Sequence, residues 1–371
     1  MIEPSPATGS SFAPYFSRWR QVSLGRSVVV EGCVDPAHAA PSTELGEAIG
    51  RWAGYHYWQR RGADRWLLLV AEQDRPPERW WIHALLLVAT LLTAALAAAT
   101  WDGDANVLAS LPTFMAAVER GLPFALPLVA ILGAHELGHF VAARRYRIDA
   151  SAPYFLPLLP PALNLIGSLG AFVRLRSPIY DRRTLFDVAL TGPLAGLAVA
   201  VPILCVGLVN SGADTSVHAA RLAHQYVMID GRALFLGDSP LMWALRRLTV
   251  GEGVMRLHPA AVAGWIGIFL TMLNLLPLTQ FDGGHVAFAV LGRPQRWLAW
   301  AAVAALVTMG ALLWSGWWAW AALGLLAGRL RLAHPRLVSA EAPLDRGRQW
   351  FGLVALVAFL LCFAPIPAQW G

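Results

Sequence analysis

Lysine is absent from this 371-residue chain. All 29 basic residues are arginines, set against 23 acids, and they sit at the ends of apolar runs with no basic block among them. That pattern excludes an electrostatic nucleic-acid surface and reads instead as a set of topology determinants. Charge of either sign is scarce, at 14% of residues, while 57% are hydrophobic and the mean hydropathy is +0.51. An ordinary soluble domain is excluded by those values, and a polytopic membrane protein fits them. Cysteine is nearly missing. Cys33, Cys205 and Cys362 lie far apart, the last two in apolar runs, which excludes a disulfide framework and a thiolate metal site. Met1 to Arg20 has no apolar core, so no cleaved signal peptide is expected and targeting falls to the first membrane helix.

Residues 1 to 79 are the one sizeable stretch that looks soluble. Ser27–Glu31 and Trp66–Ala71 read as strands, and Thr43–Tyr57 reads as a helix with Leu45, Ile49 and Trp52 on one face. The core of so small an α/β region is marginal without other contacts. His38 and His56 in it read as solvated or packed side chains. After Arg75-Pro76-Pro77-Glu78-Arg79 the apolar runs begin: Trp80–Thr100, Pro123–Ala143, Leu185–Val209, Pro259–Leu278, Trp297–Trp314, Trp317–Leu330 and Trp350–Ala364. Each is a candidate membrane span, with the short second arm of the 297–330 hairpin leaving the total at about six to eight. Residues 210 to 257 read as a mixed polar loop with an amphipathic piece around Leu241–Leu248, and His218, His224 and His258 read as non-ligands.

Within the second run stands Gly133-Ala134-His135-Glu136-Leu137-Gly138-His139. On a helix His135 and His139 are one turn apart on one face, so both imidazoles reach one metal ion. Glu136 lies about 100° round from His135, near enough to handle a water beside that ion without being a ligand. Three ionisable groups in an apolar span are costly unless something offsets them. A metal accounts for two and catalysis for the third. Chance alone gives this pattern in fewer than ~1 in 100 chains of this composition, and a structural His–Glu pair between helices is the other bland reading.

A second constellation closes the fourth run: Asn274-Leu275-Leu276-Pro277-Leu278-Thr279-Gln280-Phe281-Asp282-Gly283-Gly284-His285. Pro277 and the glycine pair break the helix and can aim Asp282 inward. Alone, Asp-Gly-Gly is a turn. Beside two histidines it supplies the carboxylate of a His₂–carboxylate site with a fourth position left for water. Between these constellations, Pro153, Pro157, Pro160 and Pro161 forbid a regular helix, and Gly167–Leu175 alternates as a β-hairpin or edge strand would. An exposed strand edge there can pair with an extended peptide. In Gly192-Pro193-Leu194-Ala195-Gly196 small residues permit close helix approach.

Arginine-rich segments at 1–79, 144–184, 293–296 and 329–348 alternate with poorer ones, so a cytoplasmic N-terminus places all four inside. Five arginines within 210–257 are the weak point of that topology. A bacterial inner (plasma) membrane is the expected location.

His135-Glu136-x-x-His139, the Gly167–Leu175 loop, Gly192-Pro193 and Asn274-x-x-Pro277-x-x-x-x-Asp282-Gly283-Gly284 together resemble the site-2 protease family of intramembrane zinc metalloproteases. Ser177-Pro178, Leu185-Phe186-Asp187 and Ala263-Gly264-Trp265 are most similar to the branch of chloroplast EGY-type proteases and their bacterial and archaeal relatives. The resemblance implies one Zn²⁺ on His135, His139 and Asp282, with Glu136 as general base. It implies Asn274 holding substrate or oxyanion, and Gly167, Gly170, Ala171 and Phe172 presenting the peptide as a strand. The expected substrate is a transmembrane protein in the bilayer. The expected fold is an all-α polytopic membrane protein with a membrane-associated β-hairpin or loop. Residues 1–79 would form a cytoplasmic N-terminal region and 80–366 a transmembrane metalloprotease domain, with its core at 80–290. A metal transporter and an inactive membrane-protein-binding scaffold are the rival readings. The first needs further polar residues along a path through the helices, and few are present.

Overall fold

The computed structural model describes residues 9–24, 27–38, 43–52, 55–72, 78–101, 103, 107–146, 148–158, 166–176, 179, 181–214, 224–251, 253–278, 280–328, 332, 337 and 344–371. The chain divides into two compact units: residues 1–78 with 175–179, and residues 79–174 with 180–371.

The first unit is an antiparallel sheet of β1 (Phe16–Leu24), β2 (Ser27–Val34), β3 (Tyr55–Arg61) and β4 (Asp64–Glu72), in the order β1-β2-β4-β3, with the short helix α1 (Thr43–Gly50). Phe12, Val30, Leu45, Trp52, Leu67 and Leu69 make its core. The helix read over Thr43–Tyr57 is shorter than expected. It stops at Gly50, and Tyr55 onward pairs with β4, which puts His56 in an exposed strand position. The aromatic residues Tyr55, Tyr57 and Trp58 that follow Gly54 suit a pleated surface better than a helix. Arg75, Pro76 and Pro77, read as the boundary, lie outside the described residues.

The second unit is mostly helical. Its long helices are α2 (Trp80–Ala99), α3 (Leu111–Arg145) and α4 (Arg182–Val209), followed after the segment 210–258 by α6 (Pro259–Asn274), α7 (Asp282–Leu291), α8 (Gln295–Leu312), α9 (Gly316–Ala327) and α10 (Arg346–Cys362). Four of these, α2, α3, α4 and α8, are long and apolar enough to cross a membrane, and α6 and α9 are shorter apolar helices. The chain is thus a multi-pass membrane protein. Helix α3 begins twelve residues before the apolar run does, because Ser110 caps it. The Ser110 hydroxyl accepts from the Thr113 amide at 3.3 Å while the Thr113 hydroxyl accepts from the Ser110 amide at 2.9 Å. Asp181 caps α4 in the same way, accepting from the amides of Arg183 and Thr184 at 2.9 Å.

Helices α3, α4 and α6 pack together around Leu128, Ile131, Ala200, Leu204, Ile268 and Met272. Beside them the non-helical stretch forms a hairpin of β5 (Tyr154–Pro157) and β6 (Ser168–Phe172), with Tyr154 opposite Phe172 and Leu156 opposite Gly170. Pro160, Pro161, Ser177 and Pro178 lie outside the described residues.

Residues 210–257 are not the loop the composition suggested. They carry β7 (Gly212–Ala213), β8 (Gln225–Ile229), β9 (Arg232–Leu236), α5 (Pro240–Thr249) and β10 (Met255–Arg256), and β11 (Ala368–Trp370) joins them in a five-stranded sheet of order β11-β9-β8-β10-β7. The all-α expectation is corrected to a mostly helical fold with sheets. His258 caps α6, its Nδ1 accepting from the Ala260 amide at 3.2 Å, and His224 pairs with Asp238 at 2.8 Å. His218 lies outside the described residues.

Candidate metal centre

Helix α3 delivers two imidazoles to one point. The Nε2 atoms of His135 and His139 stand 3.1 Å apart, and the Oδ2 of Asp282 lies 3.4 Å from the first and 3.3 Å from the second. Among the described residues these three form the group able to hold a metal ion. Their separations pass a simple test. Ligands about 2.0–2.1 Å from an ion, subtending a tetrahedral angle, stand about 3.3 Å from one another. The triangle already has that size, and it leaves one apex open, as a catalytic site requires.

Asp282 reaches the histidines because it opens α7 immediately after the break at Leu275–Phe281. Gly283 beside it has no Cβ, and one built there would stand 2.0 Å from the Leu275 carbonyl oxygen. Thus α7 starts pressed against the end of α6. His139 is oriented from the other side: its Nδ1–H donates to the carbonyl oxygen of Val188 on α4 at 2.8 Å, which leaves Nε2 unprotonated toward the centre.

The room for the imidazoles comes from α4. A Cβ on Gly192 would stand 2.1 Å from His139 Nε2, and one on Gly196 would stand 3.3 Å from His135 Nδ1. The spacing of four that sequence reading took as a helix-contact motif is therefore a cradle for the two histidines. This cradle and the Val188 carbonyl were missed as site features. The first had a signal, glycines four apart. The second had none, since any residue supplies a main-chain carbonyl.

Glu136 is buried, and the main chain of Val173, just past β6, lies beside its carboxylate. His135, Glu136, Asn274, Gly170 and Ala171 line one cavity of about 120 Å³, whose apolar end is Ile131, Leu132 and Leu270. Asn274 Nδ2 is 3.3 Å from His135 Nε2. Of the residues expected to present a peptide, Gly170 and Ala171 face this cavity. Gly167 and Phe172 do not line it: Gly167 is packed on α2, and Phe172 stacks on Tyr154 with 44% of its surface exposed.

Comparison with known proteins decides what kind of centre this is. The sequence profile of peptidase family M50 matches residues 123–315, just over half the chain. The chain belongs to peptidase family M50. Relatives of this M50 chain include the "probable zinc metalloprotease EGY1, chloroplastic" of Arabidopsis thaliana, 35% identical over 181 residues, which are 47% of this chain and 31% of that protein. The Arabidopsis thaliana EGY2 protein, with the same descriptive name, is 31% identical over 253 residues, 67% of this chain and 43% of its own length. An EGY3 protein of Oryza sativa subsp. indica is 28% identical over 261 residues, 68% of this chain and 43% of its own. The M50 chain therefore spans less than half the length of each of these relatives. No solved structure matches it.

Proposed function

We propose that this chain is an intramembrane zinc metalloprotease that hydrolyses peptide bonds within or near transmembrane segments of other membrane proteins. The observation that carries the reading is the convergence of two imidazole nitrogens and a carboxylate oxygen, 3.1–3.4 Å apart, beside a buried glutamate and a cavity edged by a strand. Zinc on His135, His139 and Asp282 fits the donor set and its spacing. Zinc bound there supplies Lewis acidity, drawing the pKa of a water toward neutrality and polarising a carbonyl.

The remaining chemistry belongs to the chain. Glu136 takes a proton from the attacking water on its carboxylate and returns it to the leaving amine nitrogen. Asn274, at the polar end of the cavity, donates from Nδ2 to the carbonyl oxygen that gains charge. A helical substrate hides its carbonyls, so it must unwind before attack. The β5–β6 hairpin is two-stranded, so one edge of β6 lacks a strand partner among the described residues and offers replacement hydrogen bonds. Leu169, Gly170 and Ala171 on that strand line the cavity, which supports pairing there.

Residues 80–366 are read as the catalytic domain and residues 1–79 as a separate cytoplasmic region. The orientation is supported at the bundle's arginine-bearing end. Arg348 at the start of α10 bonds Asp187 near the start of α4, and Arg182 donates to the carbonyls of Ala289 and Val290 at the end of α7. The relatives are chloroplastic by name, so the expectation of a bacterial plasma membrane draws nothing from them, and only the orientation is kept. Glu136→Gln tests the assignment. Bound zinc should be retained while cleavage of a single-span substrate falls by at least ~100-fold. Substantial surviving turnover refutes the base.

A further inference from the structure

One helix fastens both ends of the β5–β6 hairpin, and it lies outside the segment matched by the family profile. At the open end, His83 in the first turns of α2 is buried, and its Nδ1–H donates to the Pro153 carbonyl oxygen at 3.0 Å. Its ring lies 4.2 Å from that of Tyr154, which in turn stacks on Phe172 of β6 at 5.3 Å. At the turn end, the Thr93 hydroxyl donates to the Gly167 carbonyl oxygen at 2.6 Å. Gly167 has φ of +72°, and a Cβ there would stand 2.3 Å from the Thr93 carbonyl oxygen, so only glycine lets the chain press this close.

The two fastenings match the hairpin in length. Ten residues of α2 between His83 and Thr93 rise about 15 Å, and a strand of four to five residues covers about 13–17 Å. On its far side β6 contributes Leu169, Gly170 and Ala171 to the cavity, and the main chain of Val173 beyond it lies beside Glu136. A slip of one residue along α2, about 3.3 Å, would carry Val173 away from Glu136 and move the strand edge past the site.

We infer that His83 and Thr93 are positioning residues that fix the register of β6 against Glu136, and thereby of an extended peptide paired with β6. The last step rests on the proteolytic reading; the fastening itself does not.

The test uses the full chain in detergent micelles. Deuterium exchange is followed at residues 154–156 and 168–172, and zinc content is measured alongside. Thr93→Val should speed exchange in both strands about tenfold, as expected for one lost buried hydrogen bond. His83→Phe, which keeps a ring but loses the donor, should do so at the 154 and 172 end. Exchange in α3 and α4 and zinc content should not change. Against a synthetic single-span peptide bearing a fluorophore and a quencher, KM should rise and kcat fall, for a loss of about tenfold in kcat/KM, and Thr93→Ser should restore both. Should Thr93→Val not fold, His83→Phe alone carries the expectation. Unchanged hairpin exchange in whichever of the two variants folds overturns the inference, as does faster exchange throughout α3 and α4 with loss of zinc. A wild-type chain that binds zinc and protects the hairpin yet cleaves no peptide overturns the proteolytic reading, while the exchange result still decides the fastening.

Discussion

A single methyl group on α4 should disable the metal centre, and the structure says by how much. In Gly192→Ala the new Cβ would stand 2.1 Å from His139 Nε2 and 2.4 Å from its Cε1. Ordinary contact begins near 3.5 Å, so the ring must retreat by more than ~1 Å. Metal–ligand distances tolerate only about 0.2 Å. Nor can the ring swing aside freely, because its Nδ1–H is committed to the Val188 carbonyl at 2.8 Å. Disturbing an outer partner of a ligand costs about 10–100-fold in metal affinity, and displacing the ligand itself should cost at least ~100-fold. Gly196→Ala is the internal control. Its Cβ would meet His135 Cβ at 3.2 Å and Nδ1 at 3.3 Å, a gap that closes with a shift of a few tenths of an ångström, so the loss should stay below about tenfold. Competition for zinc against a chromophoric chelator reads both variants, with circular dichroism verifying the helices. Equal affinities in the two variants, or Gly192→Ala within about threefold of wild type, would refute the cradle.

Arg348→Met should lower stability without touching the metal. It removes a two-pronged contact to Asp187 at 2.9 and 2.6 Å and a bond to Tyr146 at 3.1 Å, at a site about one-quarter exposed. A cost of about 1–2 kcal/mol follows once solvent screening is allowed for, read as a fall in thermal midpoint with zinc affinity unchanged; an unaltered midpoint counts against it. Tyr226 should resist ionisation, because burial, and after it the Asp214 carboxylate that its hydroxyl bonds, pushes it up to about 12. Its folded value lies above the unfolded one near 10, so its contribution to stability is complete below pH 10 and fades between about 10 and 12. Ultraviolet titration of the folded chain checks this, and a tyrosinate signal that Tyr226→Phe removes near pH 10 would contradict it.

The parts of the centre that were legible in the chain are those set by local periodicity. Four residues make one helical turn, so His135 and His139 needed no tertiary information to be paired, and Pro277 with Gly283-Gly284 marks a helix break by backbone chemistry alone. Asp282 was legible only jointly, since nothing local separates a ligand carboxylate from a turn. The five-stranded sheet was not legible. Its strands run two to five residues, too short for an alternation to register, and β11 pairs with β9 from more than 130 positions away. The hairpin was legible as a strand pair, but its facing was not. Alternation identifies a strand, but which of its residues face the cavity depends on which side α2 occupies. Leu169, Gly170 and Ala171 line it in succession, while Gly167 packs on α2 and Phe172 stacks on Tyr154.

The same sheet removes the difficulty in the topology. Counted as loop charges, the arginines of 210–257 argue against an outside location, but the positive-inside rule applies to short loops and not to folded segments. Here Arg246 is 3% exposed, bonds the Gly253 carbonyl at 3.3 Å and lies 3.8 Å from Asp238. Arg232 sits over the Trp370 ring and Arg247 over the Trp243 ring. These charges are taken up by packing within a folded module. The module also joins the helix ends opposite the arginine-bearing one: Asp230 donates from its amide to the Trp101 carbonyl just past α2, and β11 follows directly on α10. Chain parity and charge are therefore both in keeping with the orientation proposed above. Helices α2, α4 and α10 all run from the arginine side toward the sheet, and the two histidines of α3 lie about 10–15 Å from its arginine-bearing end.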